Sequence, residues 1–332
     1  MQIVLVGHGS IGSRYKQSLI KHLGPNDNLY IVDNNDSLLE SLRKDGFNCF
    51  KSISEITSIS KSISHGIVAN WGPDHVKTAH ELIDIGCKRL IIEKPVSSRI
   101  DELIDLKKRC NKENIFVTVH HHWNYTDILN IIKESENKFD IGDPVGIRFI
   151  GGAVCLSTNG THYFDLGCSI LKSIPKQISA DLELDYINPR SEDLVNIGGM
   201  ASYKMKNGTF IHASFSNQNS QAFRTEIVYR HAIIEISTEL KIKCFKRKSE
   251  DILKFGEKIT RYGDLEFLSD IHYKDISTID LILENLFNGI SPTVSIEHAE
   301  TSLLMVLGAI ESHLSMNKVQ FDKVKDTGIL IS

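Results

Sequence analysis

The side chains best suited to chemistry gather at a few places, the most compact being Ile91-Ile92-Glu93-Lys94-Pro95. Arg89-Leu90-Ile91-Ile92 is continuously apolar and β-branched, as expected of a buried strand in a parallel sheet. Pro95 has no N–H for the ladder and restrains Lys94 to an extended conformation, so the amine is held at the carboxyl end of its strand. Ligands sit at that end of open α/β sheets. An ammonium there can stabilise negative charge developing on a substrate oxygen. The plainer reading is a strand end with a solvated Glu-Lys pair. Two other groups stand out: His120-His121-His122-Trp123, and Gly160-Thr161-His162-Tyr163-Phe164-Asp165. Histidine, with a reference pKa of about 6.5, can take a hydroxyl proton at neutral pH. In each case the alternative is an imidazole bonded to a neighbour for structural reasons.

The elements that must place these groups begin at residue 1. Met1 to Val6 reads as a buried strand, and Gly7-His8-Gly9-Ser10-Ile11-Gly12 is followed by a helical stretch from Ser13 to about Leu23. In that setting Gly7 permits a tight turn, Gly9 lets backbone approach a pyrophosphate, and Gly12 lets helix pack on strand. The helix N-terminus, with Ser10 and Ile11, favours the negative charge. The next strand, Leu29 to Val32, delivers Asp33, 21 residues after Gly12, where a dinucleotide site needs a carboxylate for the adenosine ribose. The following Asn34-Asn35-Asp36 offers no Arg or Lys to a 2′-phosphate, so NAD is expected over NADP, with Arg14 or a Lys from elsewhere in the chain as the exceptions.

Apolar strands then alternate with amphipathic helices, which predicts a doubly wound parallel sheet. Helices are expected over Ser37–Lys44, His75–Ile85 and Ile100–Asn111, and strands over Gly66–Ala69, Arg89–Glu93 and Ile115–Val119. Three strand ends therefore align: Asn70-Trp71-Gly72-Pro73-Asp74-His75, Glu93-Lys94-Pro95 and His120-His121-His122-Trp123. A cofactor on the glycine turn would have its nicotinamide end near them, which makes Asn70, Trp71, His75, Glu93 and Lys94 cofactor candidates and His122 and Trp123 substrate candidates. The triple His is not expected to bind metal, because consecutive strand residues alternate between faces.

From about Ile141 the pattern changes to long strand-like runs: 147–154, 177–186, 198–205, 209–216, 224–229, 232–237 and 240–246. Asn207-Gly208 is the strongest hairpin signal. This half should be an α+β domain with a mostly antiparallel sheet, one helix within Asn159–Lys172, and two more at Ile279–Leu286 and Ser295–Leu314. The domains are set at 1–122 and 123–332, with the hinge near Trp123–Ile141 and the last helix a candidate to pack back on the first domain.

Totals exclude several classes. Lys and Arg number 38 against 42 Asp and Glu, so no basic surplus drives binding to nucleic acid. The longest N-terminal apolar run, Ile3–Val6, is too short for a signal or a membrane span. Six scattered cysteines without a CxxC pair fit reduced thiols and a cytoplasmic location.

Taken together, GHGSIG, ANWGPDH, EKP, IGDPVGIRF and NGTHYFDLG resemble the Gfo/Idh/MocA oxidoreductases over nearly the whole chain. The resemblance implies a Rossmann domain followed by a substrate domain that oligomerises through its open sheet face, giving a homodimer or homotetramer. It also implies a nicotinamide cofactor and a sugar-like substrate. Lys94 matches the family's catalytic lysine, His162 its catalytic histidine, and Asp165 a position that often touches substrate. Two departures concern the substrate. Thr158, beside Asn159, stands where many members carry Asp, and Trp123-Asn124 replaces a frequent Arg. Asn159 joins Lys94, His122, Trp123 and His162 as a substrate candidate.

The favoured function is an NAD-dependent dehydrogenase of a sugar, sugar nucleotide or cyclic polyol. The competitors are a reductase of a non-sugar carbonyl or imine and a non-catalytic dinucleotide-sensing regulator, and Lys94 and His162 argue against the last.

Overall fold

The computed structural model describes residues 1–56, 63–152, 155–188, 191–216, 220–237, 241–255, 264–272 and 277–331. By compactness the chain divides into two units, 1–125 with 277–303 and 328–332, and 126–276 with 304–327. Residues 277–303 and 328–332 group with the N-terminal unit, including the first part of the last helix expected over Ser295–Leu314.

The first unit carries β1 (Gln2–Val6), α1 (Ser10–His22), β2 (Asn28–Val32), α2 (Asp36–Lys44), β3 (Asn48–Phe50), α3 (Ile53–Ile56), β4 (His65–Val68), α4 (His75–Asp84), β5 (Arg89–Ile92), α5 (Ile100–Glu113) and β6 (Phe116–Val119). The strands pair in parallel in the order β3-β2-β1-β4-β5-β6. The order reverses between β1 and β4, which opens a crevice at the carboxyl ends of those two strands. Ile3 to Val6, Ile67, Val68 and Leu90 to Ile92 are all buried, as strands covered on both faces require. Three-residue β3 had no visible signal in the sequence. Asn35 caps α2 by accepting a hydrogen bond from Leu38 N, so part of the polar run after Asp33 serves the helix.

In the second unit, α6 (Ile128–Phe139) occupies the stretch read as a hinge. Its buried Ile128, Ile132, Ser135 and Glu136 recur at three to four residues, the signature of a one-sided helix. There follow β7 (Gly146–Gly152), α7 (Leu156–Leu171), β8 (Pro175–Asn188), β9 (Ser191–Met205), β10 (Phe210–Ser216), β11 (Arg224–Val228), β12 (Ala232–Ser237), β13 (Lys241–Arg247), α8 (Ser249–Phe255) and β14 (Leu265–His272). The chain closes with α9 (Thr278–Phe287) in the first unit, α10 (Ile296–Ser315) and β15 (Val319–Gln320). The expected strand ends at residues 153–154 and 240 lie outside the described residues.

The nine-stranded sheet runs β14-β13-β12-β11-β7-β10-β9-β8-β15. Its pairings are antiparallel except for β7 with β10, which is parallel, so the sheet is mixed rather than wholly antiparallel. Met205 and Phe210 flank the Asn207-Gly208 hairpin, as the motif requires. Alternation sorts the two faces. Ile147, Phe149, Ile211, Ala213 and Phe215 are buried, and α7 lies against them so closely that a Cβ on Gly167 would stand 2.8 Å from Ile211 Cδ1. The other face carries a cross-strand row through Ser202, His212, Arg148, Glu226, Glu235, Lys243 and Asp270. No described helix is long and apolar enough to cross a membrane. All six cysteines are free thiols.

Candidate active site

The glycine turn is built by contact as well as by flexibility. Gly7 has φ +87° and its N–H donates to Val32 O at 2.8 Å. A Cβ at Gly7 would lie 2.5 Å from Asn70 backbone, and one at Gly12 would lie 2.0 Å from Gly7 O. Gly9 differs, because a Cβ there meets nothing within 4 Å. It precedes α1 without a capping side chain, so the first N–H groups, at Ser10 and Ile11, keep their capacity for an anion.

Asp33 follows β2 and turns its carboxylate back to this loop. One oxygen accepts from His8 N at 2.7 Å and the other from Asn35 N at 2.9 Å. A carboxylate oxygen has further lone pairs, so ribose hydroxyls can share it. Both His8 ring nitrogens are buried with no partner among the described residues. Burial and nearby Lys16 push its pKa down despite Asp33. Lys51, just past β3, pairs with Asp36 at 2.7 Å. Sequence reading missed this lysine because the short strand that brings it beside β2 was itself unseen.

At the end of β4, Asn70 Nδ2 donates to Thr78 Oγ1 at 2.9 Å, while its Oδ1 is buried without a partner among the described residues. Trp71 is 39% exposed. His75 is buried, with Nδ1 2.7 Å from Pro95 O and Nε2 3.2 Å from Asn70 O. It thereby ties two of the aligned strand ends together. Burial lowers its pKa, although the two carbonyls favour the charged form. A tight glycine turn, an uncapped helix start, a terminal carboxylate and an orphaned amide oxygen at one sheet edge fit a dinucleotide.

Glu93 continues the ladder past β5, its N–H donating to Val68 O at 2.9 Å, and Lys94 follows before a cis Lys94–Pro95 bond. Glu93 is buried and its Oε1 accepts from Tyr15 Oη at 2.9 Å and from His120 Nδ1 at 2.7 Å. Burial by itself would raise the Glu93 pKa, but His120, Tyr15 and Lys94 together hold the carboxyl below the usual glutamate value. Tyr15 is held well above the ordinary phenol value by burial and by Glu93.

The triple His needs a correction. The strand β6 stops at Val119, and His122–Tyr125 form a 3-10 turn, so strand alternation does not describe these residues. His120 points into the Glu93 cluster, and its Nε2 lies 3.1 Å from Thr278 Oγ1, which is also 3.2 Å from His122 Nδ1. Trp123 packs edge-on against His122. Among the described residues no three His, Cys, Asp or Glu side chains are grouped to hold a metal ion.

In the second unit α7 carries the other candidates. Asn159 Oδ1 accepts from Cys155 N at 3.3 Å, so this side chain helps to cap its own helix. His162 is half-buried and Asp165 buried, three residues apart and therefore on one helical face. Burial, with Asp165 nearby, pushes the Cys168 thiol up to about 12, so that thiol is no nucleophile at neutral pH. Lys94 is thus positioned within the first unit, and His162 and Asp165 within the second.

Residues 1–121 match the model of the family described as oxidoreductase family, NAD-binding Rossmann fold. No curated protein matches the chain. Among solved structures, an NAD-binding protein from Listeria innocua is 17% identical with a TM-score of 0.76, covering 96% of each chain. A levoglucosan dehydrogenase in complex with NADH and levoglucosan is 16% identical with a TM-score of 0.75, covering 97% of this chain and 100% of its own. A super-repressor mutant of Gal80p from Saccharomyces cerevisiae is 10% identical with a TM-score of 0.73, covering 98% of both. At these identities the structures show a shared fold over both units. Residues 1–121 thus match the NAD-binding Rossmann domain of the Gfo/Idh/MocA oxidoreductases, and the likeness to solved structures carries the shared fold through the rest of the chain.

Proposed function

We propose that this protein is an NAD-dependent dehydrogenase that moves hydride between the cofactor and a hydroxyl or keto carbon of a sugar, sugar nucleotide or cyclic polyol. The observation that carries the reading is Lys94, set at the carboxyl end of β5 beside the buried Glu93 carboxylate, in a Rossmann domain whose β1–α1 turn fits a dinucleotide. Bound NAD supplies the hydride acceptor. Lys94 donates a hydrogen bond to the reacting oxygen and stabilises alkoxide charge, and His162 takes the hydroxyl proton. Asp165, a buried carboxylate on the same helical face, compensates the imidazolium so formed, the part that Thr158 cannot play. His122, Trp123 and Asn159 bound the substrate. The likeness to a levoglucosan dehydrogenase supports a sugar-like substrate.

A reductase of a non-sugar carbonyl or imine would use the same residues. The likeness to Gal80p favours a second reading, a dinucleotide-sensing regulator. The two separate in one experiment. NAD reduction is followed against a panel of sugars, sugar nucleotides and polyols with the wild type and Lys94→Ala. Turnover lost in the variant supports a dehydrogenase, and cofactor binding with no turnover on any compound supports the regulator.

A further inference from the structure

The first unit contains a chain of hydrogen bonds whose linking groups, His120 and Thr278, have no part in the proposed chemistry. It runs from Tyr15 and Glu93 through His120 and Thr278 to His122, with successive heavy-atom distances of 2.9, 2.7, 3.1 and 3.2 Å. Four elements separated widely in sequence contribute: α1, the end of β5, the segment after β6, and the first turn of α9. Tyr15, Glu93, His120 and Thr278 are buried, and only His122 is half-exposed.

The donor and acceptor chemistry allows only two arrangements. Glu93 accepts from Tyr15 and can only accept from His120, so the hydrogen on His120 Nδ1 points at the carboxylate. The Thr278 hydroxyl has one hydrogen and stands between two imidazole nitrogens, so it donates to one and accepts from the other. With His120 neutral, Nε2 accepts from Thr278, and Thr278 accepts from Nδ1–H of His122. With His120 charged, Nε2–H donates to Thr278, and Thr278 donates to Nδ1 of His122, whose hydrogen is then on Nε2.

We propose that His122, Thr278 and His120 form a proton relay that takes up a proton at the half-exposed end and stores its charge beside the Glu93 carboxylate. The step balances without a further reactant. A proton from solvent binds His122 Nε2. The Nδ1–H bond of His122 breaks as an O–H bond forms on Thr278, while the original Thr278 O–H bond breaks and an N–H bond forms at His120 Nε2. One proton has entered, and the positive charge rests on His120, 2.7 Å from Glu93. The groups around the relay suit this storage. Tyr15 from α1 and Tyr125 from the 3-10 turn face it as neutral phenols, and Glu93 supplies the negative charge against Lys94. On α9 the nearest charged side chain, Asp280, is engaged with Ser18, His22 and Lys21.

The relay rests on the hydrogen-bond geometry and not on the dehydrogenase reading, and its test needs no turnover, so the two can fail separately. The full-length protein, labelled with ¹⁵N-histidine and saturated with NAD, is titrated by NMR between about pH 5 and 8. His122→Asn and His120→Gln assign the signals. In the wild type, His122 Nδ1 should move from the protonated, pyrrole-like range to the unprotonated, pyridine-like range as His120 becomes charged. Thr278→Val should abolish that coupled exchange and Thr278→Ser should restore it. A His122 tautomer that stays the same while His120 titrates in the wild type overturns the relay, whether or not the valine variant folds. So does an exchange that survives in Thr278→Val.

Discussion

Lys94 and Asp33 carry the heaviest assignments at the scale of single residues, and both were visible because each ends an apolar strand. Lys94→Ala should bind NADH with an unchanged Kd, since the amine acts on a substrate oxygen, while kcat falls by about 10² to 10³. Fluorescence quenching and steady-state kinetics separate those effects. Asp33 should exclude NADP, because one like-charge contact at about 4 Å and an effective dielectric near 20 is worth roughly 4 kcal/mol before screening. The structure adds Lys51, held by Asp36 at 2.7 Å. Asp36→Asn should release this ammonium and narrow the NAD preference, measured as the ratio of the two dissociation constants, whereas Asp33→Asn should narrow it more. A ratio unchanged in both variants would remove Asp33 from the ribose pocket. Thr278 left no trace in the sequence. It lies 158 residues from His120, and a threonine at the start of an apolar helix reads as ordinary.

At the scale of elements, the β1–α1–β2 unit was legible because turn, helix start and acid follow one another within a single local motif. Its glycines give a graded test. Gly12→Ala places a Cβ 2.0 Å from Gly7 O and should lower both thermal stability and NADH affinity. Gly9→Ala meets open space and should leave stability unchanged while weakening NADH, because only the ligand needs that room. Calorimetry alongside cofactor titration distinguishes the two. The span Trp123–Ile141 holds the boundary between the units, at Tyr125–Thr126, but α6 within it went unread although its apolar residues recur at three to four positions. Both β3 and β14 escaped notice for lack of a strong apolar run, and β14 exposes Leu265 and Phe267. At the start of β4, His65 is buried beside Arg89 and the N-terminus, and its pKa is lowered to about 4 from 6.5. The folded state then binds fewer protons than the unfolded state between those values, so stability rises with pH across pH 4 to 6.5 and is complete above it. The interval corresponds to about 3 kcal/mol. Urea unfolding of His65→Asn should show a flatter dependence over that range, and an unaltered slope would mean that another group governs it.

For the whole molecule, a parallel sheet followed by a mostly antiparallel one could be read from the alternation of strands and helices and then its loss, while the parallel β7–β10 pairing could not. The last helix was a candidate to return to the first domain, and its first part groups there, but nothing local marked α9 as joining that core. The nine-stranded sheet has helix α7 against its apolar face and a charged row on the other, where Arg148 and Arg224 flank a nearly buried Glu226. A sheet face of that breadth should be covered by a second copy, giving a symmetric dimer or tetramer of the 37.4 kDa chain. Light scattering that returns a monomer at micromolar concentration would count against it. The central claim concerns chemistry, and it is tested most directly by NADH formation from NAD across a panel of sugars, sugar nucleotides and polyols, with Lys94→Ala as the control. The account predicts turnover of at least one compound by the wild type and its near-complete loss in the variant with NADH affinity intact. Tight NADH binding without turnover of any compound, or a variant as fast as the wild type, would contradict it.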